Sequence, residues 1–337
     1  MKVIDILNGS QRPFASFELV PPLKGSDASR LYQSLDPLME FNPPFVNITC
    51  HRDEVEFVPN GDGSYTRMTL AKRPGTVAIA AALMRRYPEL EIVPHVICGG
   101  SSASRVESEL LDLHFLGINN IVALRGDALP GQKHFQPESD GFAHSSELVE
   151  MISNLNRGQY LDPTVKQGHC TDFCIGVAAY PEKHFEAANL ESDIQHLKQK
   201  VEAGADYIVT QMFFDNEQFY RFVDLCRKAG ITVPIVPGLK PISSKKQIDL
   251  LPRSFHIDIP QELVGLMDKA QTAEDAYQAG IDWAIRQSRD LLEHGVPAIH
   301  YYTMAKPDNV CQIVRAVFYG TNQKHPKTPH RGCLQIG

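Results

Sequence analysis

Eight short apolar segments rich in β-branched residues recur along this chain and alternate with segments that have the periodicity of amphipathic helices. Runs of this length are typical of strands buried on both faces, as in a parallel sheet covered by helices. The segments lie at 15–20, 45–49, 92–97, 121–124, 175–179, 207–210, 233–236 and 298–302. They predict an α/β fold, a (β/α)8 TIM barrel. An open doubly wound sheet is the alternative, which is disfavoured because no G-x-G-x-x-G motif follows the first strand.

Small and polar residues predict where several helices begin and end. Four glycines lie shortly before the next apolar run, where a left-handed backbone conformation would stop a helix. These are Gly117, Gly204, Gly230 and Gly295. At the other end of a helix, Ser104 with Glu107 predicts a capping box.

Two connections are longer than a β/α unit requires. Residues 128–172, between the fourth and fifth strands, are rich in Pro, Gly and Ser and contain one predicted helix near 146–154. Residues 240–278 predict short helices between the seventh and eighth strands. We expect a single barrel over residues 1–320 with these extra helices, followed by a polar, mobile tail over 321–337.

The charge and hydropathy patterns argue against several classes of protein. The net charge is −7, from 33 Lys+Arg against 40 Asp+Glu, and no basic stripe that would hold nucleic acid stands out. No segment has the features of a signal peptide or reaches the length of a membrane-spanning helix. We therefore expect a cytoplasmic protein with neither nucleic acid nor membrane as a partner.

The cysteines are typical of a reducing compartment. There are seven, an odd number, and most lie within apolar runs, which favours small core residues over a disulfide framework. His169, Cys170 and Cys174 are clustered, but no second Cys/His pair follows at a standard zinc spacing. We expect no metal site.

Polar residues follow nearly every predicted strand. Because the carboxyl ends of barrel strands meet on one face, these side chains should line a common mouth that can hold a large, flat ligand with polar edges. They are Glu18, Thr49, His95, Arg125, Asp127, Tyr180, His184, Gln211 and Thr303 to Lys306.

Glu18 and the segment Arg125-Gly126-Asp127 carry the clearest chemical signals. Glu18 lies inside an otherwise apolar strand, where burial should raise its pKa and make it a general acid near neutral pH; a structural ion pair is the alternative. Arg125 offers a planar fork of donors, and Gly126 lets the backbone approach a ligand. His95 is either a mouth residue or a satisfied core histidine, and the Tyr180 ring suits stacking on a flat ligand.

Together these residues resemble the methylenetetrahydrofolate reductase family from about Phe14 to Val317. The order and spacing of the matching segments make the resemblance specific, whereas a lone Arg-Gly-Asp would not be. The segments are Phe17-Glu18 with Pro21-Pro22, Val46-Asn47-Ile48-Thr49, Pro94-His95 with Cys98, Leu124-Arg125-Gly126-Asp127, Val177-Ala178-Ala179-Tyr180-Pro181-Glu182, Ala203-Gly204-Ala205-Asp206, Thr210-Gln211, Pro234-Ile235-Val236-Pro237-Gly238 and Tyr301-Tyr302-Thr303.

The resemblance implies a TIM barrel that holds FAD at the strand carboxyl ends and uses NADH or NADPH as electron donor. It implies ping-pong hydride transfer that reduces 5,10-methylenetetrahydrofolate to 5-methyltetrahydrofolate. Glu18 would be the general acid that opens the folate ring, and Asp127 would act on both flavin and pterin, so both are catalytic and contact substrate. Flavin-binding positions would be Thr49, Cys50, His95, Leu124, Arg125, Gly126, Asp127, His144, Ser145, Tyr180, His184, Ala187, Asp193, His196, Gln199 and Lys200, and folate-binding ones Gln211, Gln247 and Lys306.

Several of these positions depart from the family pattern. A flavin-side Tyr-Ala pair of many relatives is His144-Ser145 here, and a Tyr after the second strand is Cys50. His196 and Gln199 replace an Asn and an Arg near the flavin phosphates. Lys306 replaces a folate-contacting Arg, which keeps the charge but loses the bidentate fork. Leu251 stands where some relatives have a Phe that stacks on substrate.

Three other functions remain open at this point. A pterin-binding methyltransferase barrel without flavin would explain the folate positions alone. A flavin barrel could act on another imine or N-methylene substrate, and a non-catalytic folate carrier would have no need of Glu18 in an apolar strand. We also expect a homo-oligomer.

Overall fold

Eight parallel strands close into a barrel in the computed structural model, which describes residues 1–129, 132 and 134–320. In chain order the strands are β1 (Phe14–Leu19), β2 (Phe45–Ile48), β3 (Glu54–Pro59), β4 (Tyr65–Leu70), β5 (Glu91–Ile97), β6 (Asn120–Leu124), β7 (Cys174–Ala179), β8 (Tyr207–Met212), β9 (Ile235–Leu239) and β10 (Ala298–Tyr302). The barrel order is β1-β10-β9-β8-β7-β6-β5-β2, with β2 pairing back to β1. All eight predicted strands are present, so the TIM barrel is confirmed and the open sheet is wrong.

Helices cover the outside of the barrel and extend two of its connections. They are α1 (Val3–Gly9), α2 (Ala28–Leu35), α3 (Thr76–Arg86), α4 (Ala103–Phe115), α5 (Ser145–Leu155), α6 (Leu190–Glu202), α7 (Asn216–Lys228), α8 (Lys246–Phe255), α9 (Gln261–Lys269), α10 (Ala273–Glu293) and α11 (Asp308–Val314). The extra helices occur where they were predicted, α5 between β6 and β7, and α8 and α9 between β9 and β10. The predicted tail over 321–337 lies outside the described residues.

The helix ends agree with the sequence in one respect and differ in another. The four predicted glycine stops all have positive φ angles, between 78° and 122°. The capping box of Ser104 with Glu107 is wrong because α4 begins at Ala103 and is capped by Ser102, whose Oγ accepts from Arg105 N at 3.2 Å. The Glu107 carboxylate instead accepts from Leu161 N at 2.7 Å, in the long β6–β7 connection.

The barrel interior is apolar at one end and polar at the other. At the amino-terminal end, Val3 and Leu7 of α1 pack with inward-facing residues such as Phe45, Val93 and Tyr207, all fully or nearly fully buried. Alternate residues on each strand face inward, so the next layer toward the carboxyl ends brings polar side chains into the barrel. These buried polar residues include Ser16, Asn47, His95 and His300. The interior therefore leads from a closed apolar base to a polar mouth.

The hairpin of β3 and β4 was not predicted from the sequence. It follows β2 and pairs Phe57 with Arg67 and Val58 with Thr66 outside the barrel. Both faces carry exposed apolar side chains, among them Phe57, Val58, Tyr65 and Met68. Without one buried and one solvated face, its sequence lacks the alternation by which a half-buried strand is recognised.

Within the residues that the structure describes, no helix combines the length and apolar character required to cross a lipid bilayer.

Candidate active site at the barrel mouth

Glu18 and His95 form the centre of the polar mouth. The Glu18 side chain on β1 is 13% exposed, and its Oε2 lies 3.8 Å from His95 Nε2 on β5. Burial raises the pKa of Glu18 to about 8 and lowers the pKa of His95 to about 3, the latter with a smaller contribution from the His51 charge. At neutral pH Glu18 therefore keeps its proton and His95 is uncharged. This pair is not an ion pair, which favours the general-acid interpretation of Glu18 over the structural one.

Neighbouring strands hold Glu18 in place. Glu18 is in register with Asn47 of β2 and Tyr302 of β10. The Asn47 amide donates to His95 Nε2 at 3.3 Å, and Thr303 Oγ1 donates to the carbonyl oxygen of Glu18 at 2.8 Å. These bonds fix both the acid and the imidazole beside it, so a ligand in the mouth meets a preorganised donor.

A second layer beneath them is also hydrogen-bonded. Ser16 Oγ lies 2.9 Å from His300 Nδ1 in this layer, while at the level of Glu18 the Tyr302 hydroxyl donates to the carbonyl oxygen of Thr210 at 2.6 Å. Burial, with a contribution from His95, lowers the pKa of His300 to about 3. Ser16 and the uncharged His300 therefore form a polar floor under Glu18.

The segment after β6 presents a cation whose partner is Glu186. Arg125 Nη1 lies 2.5 Å from Glu186 Oε2, and the guanidinium lies over the Phe135 ring at 5.0 Å. His134 Nδ1 and His184 Nδ1 lie 3.7 and 4.0 Å from the same carboxylate. Burial raises the pKa of Glu186, but its hydrogen bond to Arg125 and the Arg125 charge outweigh burial, so the net shift is downward. One carboxylate thus occupies a cradle of three nitrogen groups.

Gly126 and Asp127 continue this turn. Gly126 has a φ of 84°, in the left-handed region that favours glycine. The carbonyl oxygen of Asp127 accepts from Arg52 Nη1 at 3.4 Å, while the Asp127 side chain is exposed at the mouth. The turn therefore leaves the Asp127 carboxylate available to a ligand.

The loop after β7 connects to α6 beside Arg125. The Tyr180 and His184 rings meet edge to face, with centroids 4.7 Å apart. The Asp193 carboxylate accepts from His184 N at 2.8 Å, and Lys200 Nζ donates to the carbonyl oxygen of Ala178 at 2.9 Å. Burial, with a smaller contribution from the Arg125 charge, lowers the pKa of Lys200 to about 8. The structure therefore brings the predicted Tyr180, His184, Asp193 and Lys200 together.

Other predicted flavin-side residues lie around the β2, β5 and β6 ends. Thr49 Oγ1 donates to the carbonyl oxygen of Leu19 at 3.3 Å. Cys98 Sγ, just after β5, lies 3.4 Å from the Leu124 carbonyl oxygen and 3.8 Å from that of His144. Ser145 is buried at the start of α5. Burial raises the pKa of Cys50 to about 11, so this thiol stays protonated.

The remaining predicted flavin-binding residues differ in their burial and in their contacts. Ala187 is buried, and its carbonyl oxygen accepts from Lys183 Nζ at 2.8 Å. His196 and Gln199 are exposed on α6, and in the described part of the chain no side-chain hydrogen bond or ion pair joins them to the mouth residues.

The predicted folate residues lie toward α8 and β10. Gln211 Oε1 accepts from Met212 N at 2.9 Å, and Gln247 Oε1 accepts from Ser243 N at 2.7 Å. Lys306 is exposed in the turn after β10. Gln211 lines a narrow cleft together with Tyr180, so the two predicted sides of the site adjoin.

Four residues of the mouth were not identified from the sequence as site residues. Asn47 and Tyr302 lie in apolar strands, and Glu186 follows the recognised histidine. Lys240 comes directly after β9 and is 7% exposed. The rule that identified polar residues at the other strand ends applies to Lys240 as well, so the signal was present.

Across the described residues, no three His, Cys, Asp or Glu side chains are arranged to hold a metal ion.

Comparisons with known proteins point to one family. The family described as methylenetetrahydrofolate reductase matches residues 2–317. Methylenetetrahydrofolate reductase (NADH) 1 of Arabidopsis thaliana is 33% identical over 90% of this chain, and this chain spans about half, 48%, of its length. The 5,10-methylenetetrahydrofolate reductase of Escherichia coli is 33% identical over 87% of this chain and 86% of its own.

A solved structure supports the fold alone. It is that of an uncharacterised Clostridium thermocellum protein that binds two copies of 5-methyl-5,6,7,8-tetrahydrofolic acid. The TM-score is 0.52 at 14% identity, with 93% of this chain and 96% of that chain covered.

Proposed function

Because this chain belongs to the methylenetetrahydrofolate reductase family, we propose that it reduces 5,10-methylenetetrahydrofolate to 5-methyltetrahydrofolate with NADH or NADPH as donor and FAD as the bound relay. The observation that carries the proposal is the buried Glu18 carboxyl at the mouth of the barrel, 3.8 Å from His95 Nε2, because this burial raises the pKa of Glu18 to about 8. Opening the five-membered ring of the substrate requires a proton at the departing nitrogen, and Glu18 holds one at neutral pH.

The side chains around Arg125 fit a flavin dinucleotide. Arg125 and Lys200 would neutralise its diphosphate, and the Glu186 carboxylate in the cradle of Arg125, His134 and His184 stands in for such an oxyanion. Tyr180 and His184 offer ring surfaces beside this cradle. When bound, FAD would accept a hydride from the nicotinamide and pass it to the one-carbon unit of the folate.

The protein residues have separate tasks in this scheme. Glu18 donates the proton. Thr303 holds the Glu18 backbone in position, and Asn47 holds the neighbouring His95 ring. The exposed Asp127 carboxylate would accept hydrogen bonds from the amino edge of the pterin. Gln211, Gln247 and Lys306 would bind the rest of the folate along the α8 side.

A visible absorption spectrum followed by two half-reactions tests the proposal. We expect purified protein to be yellow, to be bleached anaerobically by NADH or NADPH, and to be reoxidised by methylenetetrahydrofolate. A colourless protein that takes up no FAD on reconstitution would contradict the proposal and favour a flavin-free pterin barrel. A protein that is bleached but not reoxidised by any folate would indicate a different imine substrate.

A further inference from the structure

Lys240 is a buried lysine at the mouth to which the proposed chemistry gives no task. It directly follows β9, whose residues Gly238 and Leu239 are in register with His300 and Tyr301 of β10. Val236 faces the barrel interior, and the alternation of the strand places Gly238 and then Lys240 on that same side. Lys240 is 7% exposed, which is rare for a lysine without a partner.

No acidic group compensates the Lys240 charge among the described residues. No hydrogen bond or ion pair joins its ammonium group to any part of the chain that the structure describes. Burial first, and then the charge of Lys306, lower the pKa of Lys240 to about 8. Lys240 directly follows β9 and Lys306 lies in the turn after its neighbour β10, so the two lysines come from adjacent strand ends of the mouth.

Two lysines without a compensating acidic group are suited to bind an anionic oxygen group of a ligand. A charge that is buried without a partner is unfavourable until an opposite charge arrives, so such a pair discriminates for anionic ligands. Both proposed ligands carry suitable groups, since folate has the carboxylates of its glutamate and the nicotinamide dinucleotide has phosphates. The exposed Lys306 alone would attract an anionic group more weakly than the two lysines together, because solvent and salt screen its charge.

We propose that Lys240 is a further substrate-binding residue, which together with Lys306 binds a carboxylate or phosphate of the ligand that enters the mouth. The inference rests on the proposed function, because it takes its ligands from that reaction. It assigns to Lys240 the selection of anionic over neutral ligands, and no part in proton or hydride transfer.

Calorimetric titration of the holoenzyme and its Lys240→Met variant tests this inference. Met has a similar length and suits a buried position, so the variant should fold, and thermal unfolding checks this. The matched control is Lys245→Met, which removes an exposed lysine whose Nζ donates to the Asp268 carbonyl oxygen at 3.4 Å. The flavin is first reduced with dithionite so that no hydride transfer adds to the heat, and the ligands are 5-methyltetrahydrofolate, its analogue 5-methyltetrahydropteroate that lacks the glutamate, and NADH.

We expect Lys240→Met to weaken binding of one anionic ligand by about tenfold or more, and Lys245→Met to change it by less than about twofold. A loss for the folate but not for the pteroate assigns the pair to the glutamate carboxylates, and a loss for NADH assigns it to phosphate. Lys240→Arg keeps the positive charge and should therefore retain most of the affinity that Lys240→Met loses. Unchanged binding of all three ligands in folded Lys240→Met would overturn the inference, whereas wild-type protein that binds no folate would instead contradict the proposed function.

Discussion

Replacing Glu18 with Gln should reduce activity and increase stability, because the same burial causes both effects. Burial raises the pKa of this carboxyl from 4.5 to about 8, so about 90% of the folded molecules hold the proton at pH 7 and about 10% at pH 9. The folate half-reaction of the wild type should therefore slow about tenfold for each pH unit above 8. Gln cannot donate the proton, and we expect the variant to lose about 10²–10⁴-fold in that half-reaction.

The stability effect has a definite sign and pH window. Below pH 4.5 the carboxyl is protonated in both the folded and the unfolded chain and makes no difference. Between pH 4.5 and about 8 the unfolded chain releases the proton while the folded chain keeps it, so the free energy of unfolding falls as the pH rises. At about 1.4 kcal/mol per pH unit, the loss reaches at most about 5 kcal/mol. Gln has no charge to bury and avoids this loss.

Two assays on the same pair of proteins check the reasoning. Stopped-flow absorbance separates bleaching by nicotinamide, which Glu18→Gln should leave intact, from reoxidation by methylenetetrahydrofolate, which it should slow. Urea denaturation at several pH values gives the difference in unfolding free energy between variant and wild type. The contributions of all other titrating groups cancel in this difference. Equal damage to both half-reactions, or a stability difference that does not change between pH 5 and 9, would refute the role and the pKa assigned to Glu18.

Three further substitutions test other parts of the mouth. Asp127→Asn should raise the flavin reduction potential and also weaken folate binding, because one negative charge affects both. Dye-linked potentiometry and folate titration check this. An unchanged potential would show that Asp127 acts on the substrate alone. Glu186→Gln should tighten FAD binding by about tenfold, or about 1.4 kcal/mol, because the diphosphate no longer has to displace a charged carboxylate from Arg125. Fluorescence titration measures this affinity, and weaker binding would show that Glu186 positions Arg125 instead. Gly126→Ala should cost about 1–2 kcal/mol in urea denaturation, because its φ of 84° strains any side chain. The space itself admits a Cβ, whose nearest neighbour would be Ile97 Cβ at 3.6 Å, so a much larger loss would point to an unexpected clash.

The barrel was predictable from the sequence because its signals are local. Each buried strand is a short apolar run, and each glycine that ends a helix precedes the next such run. The eight units could therefore be recognised without any knowledge of contacts. The β3–β4 hairpin was missed because Phe57 and Val58 are both exposed, which gives the pattern no buried face. The start of α4 was misplaced by two residues because Ser102 and Ser104 both fit the chemistry of a cap.

The candidate site was predictable as a set of positions but not as a set of partners. The residues at strand ends could be identified, since parallel strands bring their carboxyl ends together. That Glu186 pairs with Arg125, or that Asn47 donates to His95, depends on distances between segments far apart in sequence. Lys240 shows a different failure, because the rule for strand ends applied to it and was not used at the seventh strand.

The packing of α1 into the base of the barrel determines how molecules reach the chemistry. Val3 and Leu7 seal that end with side chains that are 0% and 5% exposed, so ligands approach the polar layer of the packed interior from the mouth. Whatever leaves the mouth departs along the route by which its successor arrives. Release of one ligand and entry of the next therefore compete for a single passage, and clearing that passage is a step that every turnover includes.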